Sequence, residues 1–231
     1  MNPIMRGVLA SLCAFALAGG AALAQTPDIQ FGGRIGKYLP RIDAVERERE
    51  INFRDRLDDK RGLSRSIMRY NQTRFADVAW AGALAVPRAE DYGVKSLLEG
   101  LVRLSLARIG RAEDADDIRL TLNWMTVPNH SVAVINFANT YAKGRIARID
   151  PATGKELESH KVMVNFVPRF SVDPNYQGPD FAFLETDEAN RVGPVLAYFV
   201  SKALAKLYPE ADLPEVTMVV VSDGIDRVLT N

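Results

Sequence analysis

Thiols and imidazoles are scarce in this chain. Cys13 is the only cysteine among 231 residues, and His130 and His160 are the only histidines. A single thiol closes no intrachain disulfide and builds no thiolate metal site. Net charge is also missing: 29 basic and 29 acidic side chains cancel, leaving no global electrostatic footprint for nucleic acid. After Gln25 no apolar run approaches the roughly 20 residues a membrane-crossing helix needs. Glycine and proline, at 16 and 12, are too few for a collagenous or low-complexity chain. A hydrophobic fraction of 47% with no net charge excludes a disordered one.

Catalytic signatures are missing as well. There is no G-x-S-x-G elbow and no H-E-x-x-H zinc motif. The stretch Gly32-Gly33-Arg34-Ile35-Gly36-Lys37 has Phe31 where a Walker loop needs its first glycine, and Tyr38 follows the lysine. It reads as a linker. Asp173-Pro174-Asn175-Tyr176-Gln177-Gly178 begins like a calcium loop, but Leu184 stands where the bidentate glutamate belongs. Glu185, Asp187 and Glu188 fit the capped start of a helix better than a catalytic carboxylate pair. No metal site, cofactor or catalytic residue is expected.

What is present begins with a leader. Arg6 precedes an apolar run of eleven, Val8–Ala18, and then Ala22-Leu23-Ala24 supplies small residues for cleavage before Gln25. Residues 1–24 therefore read as a secretory signal peptide, and the mature chain as periplasmic or secreted. Cys13 lies inside the run behind Leu12, without the small residue a lipid-anchor site prefers.

Charge then divides the rest. Residues 34–74 hold 12 basic and 7 acidic side chains, and residues 75–231 hold 16 and 21. The division suggests residues 25–74 as a basic linker and charged helical arm, and 75–231 as a globular domain. In the arm Asp43 reads as an N-cap, and Val45, Ile51, Phe53 and Leu57 are too sparse for a wide apolar stripe. A solvated surface helix lying against the domain is the expectation, with a dedicated binding arm as its rival.

In the domain the hydrophobic period changes along the chain. Residues 77–86 read as a bent strand or strand pair, and 92–110 as a helix ended by Gly110. Residues 118–127, 131–150 and 157–167 read as strands, with a bend or bulge near Lys143-Gly144 and a tight turn at 150–155. Residues 168–187 read as irregular, 190–208 as a second helix with Pro194 in its first turn, and 218–221 as a last strand. The expected fold is α+β: an antiparallel meander with two helices on one face, plus the charged arm.

Two sets of side chains stand out. Lys143, Arg145 and Arg148 form a basic stripe on one strand, Lys143 and Arg145 sharing a face that Arg148 does not, and they are the candidate partner-binding residues. Trp124, Tyr176, Phe181 and Phe183 are the candidate lining of a ligand pocket beneath the 168–187 loop.

Three segments, SLLEGLVRLSLARIG at 96–110, ADDIRLTL at 115–122 and RIDPATGKEL at 148–157, resemble the small α+β envelope domains of bacterial exported proteins and lipoproteins of unknown function. The likeness is architectural and covers about two thirds of the chain. It implies a non-enzymatic envelope role, and members of that group usually carry a lipid-anchored cysteine. The expected function is an accessory module that binds another envelope protein or component. Small-ligand binding in the aromatic pocket is the alternative.

Overall fold

The computed structural model describes residues 26–58, 78–127, 140–171, 176–185 and 192–220. The leader, Cys13, residues 59–77, the His130 turn, Asp173 to Asn175 of the calcium-like loop, and Thr186 to Asn190 lie outside the described residues.

Two sheets flank a shared apolar centre. The first has four strands in the order β1 (Asp28–Phe31), β2 (Ile118–Thr126), β3 (Tyr141–Ile149) and β4 (Glu156–Asn165). Strands β2, β3 and β4 form the expected meander, but β1 joins β2 in parallel. The second sheet is wholly parallel, in the order β5 (Arg169–Ser171), β7 (Val216–Val220), β6 (Phe181–Glu185). The fold is thus α+β with one mixed and one parallel sheet, and the pure meander is corrected. The stretch expected to be irregular, 168–187, supplies both β5 and β6. Parallel neighbours need a long crossover, and between β6 and β7 a helix provides it.

Four α-helices lie among the described residues: α1 (Gly33–Asp58), α2 (Ala81–Ala85), α3 (Val94–Arg108) and α4 (Val192–Leu207). None is long and apolar enough to cross a membrane. Residues 81–85 are helical, not strand; only Trp80 makes an isolated bridge, to Ala182. Helix α3 ends as its sequence suggests, with Gly110 at φ +69° and Arg111 N–H closing on the Leu106 carbonyl at 2.8 Å. Gly154 at φ +67° closes the β3–β4 turn. There the Thr153 hydroxyl and the Ala152 N–H bind Asp150 and hold its carboxyl below the ordinary range.

Helices α3 and α4 cover one face of the first sheet. Leu97, Leu98, Leu101, Leu196, Phe199 and Val200 meet Ile118, Leu120, Leu122, Ile146, Val162 and Val164, all buried. The expected distortion near Lys143-Gly144 is real but sits on the partner strand: the register slips between Leu122 and Trp124, making Asn123 the extra residue. Gly144 lies opposite it because the Phe199 ring reaches the sheet there. A Cβ at Gly144 would stand 2.7 Å from Phe199 Cζ and collide with the Thr121 carbonyl.

Helix α1 departs furthest from expectation. It starts at Gly33, at φ +49°, and runs through Pro40, so the glycine-rich linker is its first turn and Asp43 lies in its interior. Its inward stripe is Ile35, Leu39, Ile42, Glu46, Glu50, Phe53, Leu57, a run of i+3 and i+4 steps. The first three join the main core. The last two pack on a second cluster, Val78, Trp80, Ala182 and Val219, behind the parallel sheet, with Phe53 edge-on to Trp80 at 5.3 Å. Between them Glu46 and Glu50 are 5% and 3% exposed. The helix is not solvated on this face.

Its polar side chains finish other elements. Asp43 accepts the first N–H of α3, from Val94, at 2.8 Å. Glu46 accepts the Val192 N–H that starts α4 at 3.1 Å and a bond from Arg49 at 3.0 Å. Arg47 donates to the Tyr92 carbonyl at 3.0 Å. Arg54 donates to Glu50 at 2.9 Å and to the Val86 and Pro87 carbonyls just beyond α2, both at 2.8 Å. A Cβ at Gly82 would meet Glu50 Oε1 at 2.8 Å, so this glycine admits the carboxylate.

Two predictions follow from this packing. Gly144→Ala forces the Phe199 ring and strand β2 to move, and overpacking of that kind costs about 1–3 kcal/mol. Urea denaturation is expected to show a lower midpoint at unchanged slope, and an unshifted midpoint would remove the close-approach explanation.

The second concerns pH. Burial pushes the Glu50 carboxyl above its ordinary 4.5; Arg54 opposes the shift and Glu46 adds to it. A carboxyl raised in the folded state favours folding most below 4.5, and that contribution is lost as pH rises through the folded value. The stability of the native chain relative to Glu50→Gln should therefore fall as pH rises from the ordinary carboxyl range through the raised folded value. Denaturation curves at several pH values measure it, and a pH-independent difference would contradict a buried, titrating Glu50.

Candidate functional site

The face of the first sheet turned away from α3 and α4 carries no described helix. The pairing register arranges its side chains in rows across β2, β3 and β4. Arg119, Ala147 and Ser159 form one row, Thr121, Arg145 and Lys161 the next, and Trp124, Lys143 and Met163 the third. Lys143, Arg145, Ser159, Lys161 and Met163 are exposed, and Trp124 is 38% exposed.

The end of this face near β1 is electrostatically closed. Arg119 binds Asp28 at 2.6 Å and lies 3.8 Å from Glu156. Arg145 reaches Glu156 at 2.5 Å and the Ser159 hydroxyl at 2.6 Å. Beyond that cluster the charge is open: among the described residues neither Lys143 nor Lys161 has a carboxylate partner. Arg145 and Lys161 are also directly opposite one another on paired strands. Like charges placed so are destabilising by a few tenths of a kcal/mol to about 1 kcal/mol. The indole N–H of Trp124 donates to Thr126 at 3.0 Å, fixing the ring at the edge of the basic patch.

Lys143 and Arg145 thus share the open face, as their spacing indicates. Arg148 lies on the helix side, opposite Ile118, with its guanidinium 5.2 Å from the centre of the Tyr208 ring and its Nε buried without a partner among the described residues. It belongs to the packing at the α4 end and not to the exposed stripe. Lys161 and Met163 complete the open face beside Arg145 and Lys143. The signal for them was the alternation in β4, where buried Val162 and Val164 force their neighbours outward.

The four aromatic candidates separate. Tyr176 and Phe181 line one cavity of about 180 Å³ with Leu84, Leu104, Arg108 and Pro179. Phe183 borders a cleft of about 20 Å³ beside Glu50, Phe53 and Trp80. Trp124 is on β2, at the open sheet face. Around the larger cavity the polar groups bind one another. Asp180 accepts from the Tyr176 hydroxyl at 3.1 Å, the Thr217 hydroxyl at 3.3 Å and the Glu215 N–H at 3.2 Å. Arg108 donates to the Pro179 carbonyl and to Asp212.

The charged middle of α1 adds a buried cluster that the sequence did not suggest as special. Tyr92 is 1% exposed, and its hydroxyl has no partner among the described residues. Burial, then the charges of Glu50 and Glu46, push its acidity down and its pKa well above the ordinary value. His160 binds Glu158 at 2.7 Å. Among the described residues no group of three or more His, Cys, Asp or Glu side chains is placed to hold a metal. Comparison of the chain with protein-family models, with curated proteins and with solved structures gave no match.

Proposed function

We propose that this chain is an exported, non-catalytic interaction module of the bacterial cell envelope that holds an acidic protein partner against the open face of its four-stranded sheet. The observation that supports this is the patch formed by Lys143 and Lys161 beside Trp124 and Met163. Two lysines there lack carboxylate partners among the described residues. An acidic surface pairs them on binding, and the tryptophan and methionine supply apolar contact of the kind enriched in interface centres. The leader and the resemblance to envelope domains support a position outside the cytoplasm. Arg47, Arg49 and Arg54 of α1 are engaged within the fold, whereas Lys37 and Arg41 on the same helix are exposed.

Photo-crosslinking in the native envelope tests this. A crosslinker at Met163 is expected to give a protein adduct that one at Leu84, 50% exposed elsewhere, does not. Lys143→Glu with Lys161→Glu should reduce the adduct roughly tenfold, equivalent to about 1.4 kcal/mol, with thermal stability preserved. Equal adducts at both sites, or adducts indifferent to charge reversal, overturn the proposal. So does binding of the same face to phosphatidylglycerol vesicles without any protein adduct.

A second reading rests on the cavity shared by Tyr176 and Phe181. Its 180 Å³ is below the ~300–1,000 Å³ usual for ligand pockets, so it suits only a ligand of a few heavy atoms. Native mass spectrometry of envelope-purified protein would then show an added small mass that Leu84→Trp, which fills the cavity mouth, abolishes. A bare mass removes this reading.

A further inference from the structure

The wall of the cavity beside the 176–180 segment is mostly apolar, with Leu84, Leu104, Tyr176, Phe181 and Pro214 around about 180 Å³. Two charged side chains also border it: Arg108, the last residue of α3, and Asp180, just before β6. Arg108 is committed within the fold. One terminal nitrogen donates to the Pro179 carbonyl, and the other pairs with Asp212 at 3.1 Å. Asp180 is bound only by neutral donors, the Tyr176 hydroxyl at 3.1 Å, the Thr217 hydroxyl at 3.3 Å and the Glu215 N–H at 3.2 Å. Among the described residues no lysine, arginine or histidine forms an ion pair with it.

Those three donors fix the orientation of the carboxylate and leave its charge in place. A carboxylate has about four acceptor sites, so one stays open for a further donor. Apolar walls screen a charge less than open water does, which strengthens its pull on a counter-ion. The rings of Tyr176 and Phe181 share the wall, and aromatic faces attract cations. The Tyr176 ring is held in place by sequence as well as by its hydroxyl. A Cβ at Gly178 would collide with it, so the bare glycine admits the ring.

We propose that this cavity binds a small alkylammonium ion, its N–H groups on the Asp180 carboxylate and its alkyl group against Leu84, Leu104 and Phe181. The inference rests on the small-ligand reading of the same cavity and gives that ligand a charge and a chemical class. A small anion fits worse, because Arg108 already has Asp212 and the open charge beside it is negative. A neutral molecule gains the apolar contact and leaves Asp180 without a counter-charge. The volume limits the alkyl group to a few carbon atoms.

Three probes that share one tert-butyl group test it: tert-butylammonium, neutral tert-butanol and anionic pivalate, each titrated into the full chain at constant ionic strength. The ring-proton NMR signals of Tyr176 and Phe181 report binding. Tert-butylammonium is expected to shift them saturably, and the other two should bind at least tenfold more weakly. Asp180→Asn should weaken the cation at least tenfold and leave tert-butanol unchanged. Leu84→Lys sets a competing cation at the exposed rim and should also weaken tert-butylammonium at least tenfold. It leaves the bonds of Asp180 intact, so it decides the matter if Asp180→Asn fails to fold. Tert-butylammonium binding no tighter than tert-butanol or pivalate overturns the cation while the pocket itself stands. Cation binding indifferent to Leu84→Lys and to a folded Asp180→Asn overturns it too. Signals that none of the three probes moves overturn the cation and the pocket together.

Discussion

Two carboxylates in the core stripe of one helix hold this structure together. Glu46 and Glu50 occupy positions on α1 where the spacing of Ile35, Leu39, Ile42, Phe53 and Leu57 calls for apolar side chains. Burying a carboxylate costs several kcal/mol unless hydrogen bonds and an opposite charge satisfy it. Here they do: the start of α4 and Arg49 serve Glu46, and Arg54 serves Glu50. Asp43 caps α3 in the same way. The two helices that cover the first sheet therefore both begin on side chains of α1. Helix placement, sheet coverage and the closing of the second cluster behind the parallel sheet depend on that one polar strip.

This arrangement explains where the sequence was legible and where it misled. The meander and its two covering helices follow from local patterning: alternation in 118–126, the wide apolar face of 94–108, and the Asp150–Gly154 turn chemistry are all short-range signals. The parallel strands are not, since Phe181–Glu185 and Val216–Val220 are short apolar runs whose pairing is set by the helix between them. The inward stripe of α1 is too sparse in hydrophobic residues to stand out, because two of its positions are glutamates. A charged residue on a stripe carries no mark in the sequence that distinguishes burial from solvation. The distinction rests on partners over 140 residues away, as between Glu46 and Val192.

The site was legible to a similar degree. Strand alternation correctly put Lys143 and Arg145 on one face and Arg148 on the other, because a period of two is geometric once the strand is known. Grouping four aromatics into one pocket failed for the opposite reason. Phe181 and Phe183 share a strand and a face, yet Phe183 borders only the small cleft beside Glu50, Phe53 and Trp80 while the 176–180 segment shapes a cavity beside Phe181. Which aromatic borders empty space depends on what packs above the sheet.

Charge counting illustrates the same point for recognition. The excess of basic residues in 34–74 is the most visible electrostatic feature of the sequence, yet in its described part Arg47, Arg49 and Arg54 bind carbonyls and carboxylates of the fold itself. The smaller basic group on the sheet has fewer internal obligations. Arg119 and Arg145 are engaged by Asp28 and Glu156, and the potential that reaches solvent comes from Lys143 and Lys161. A charge acts on a partner only to the extent that its own fold has not neutralised it. By that criterion Lys143 and Lys161 keep their charge available on the open sheet face, as the exposed Lys37 and Arg41 do on α1.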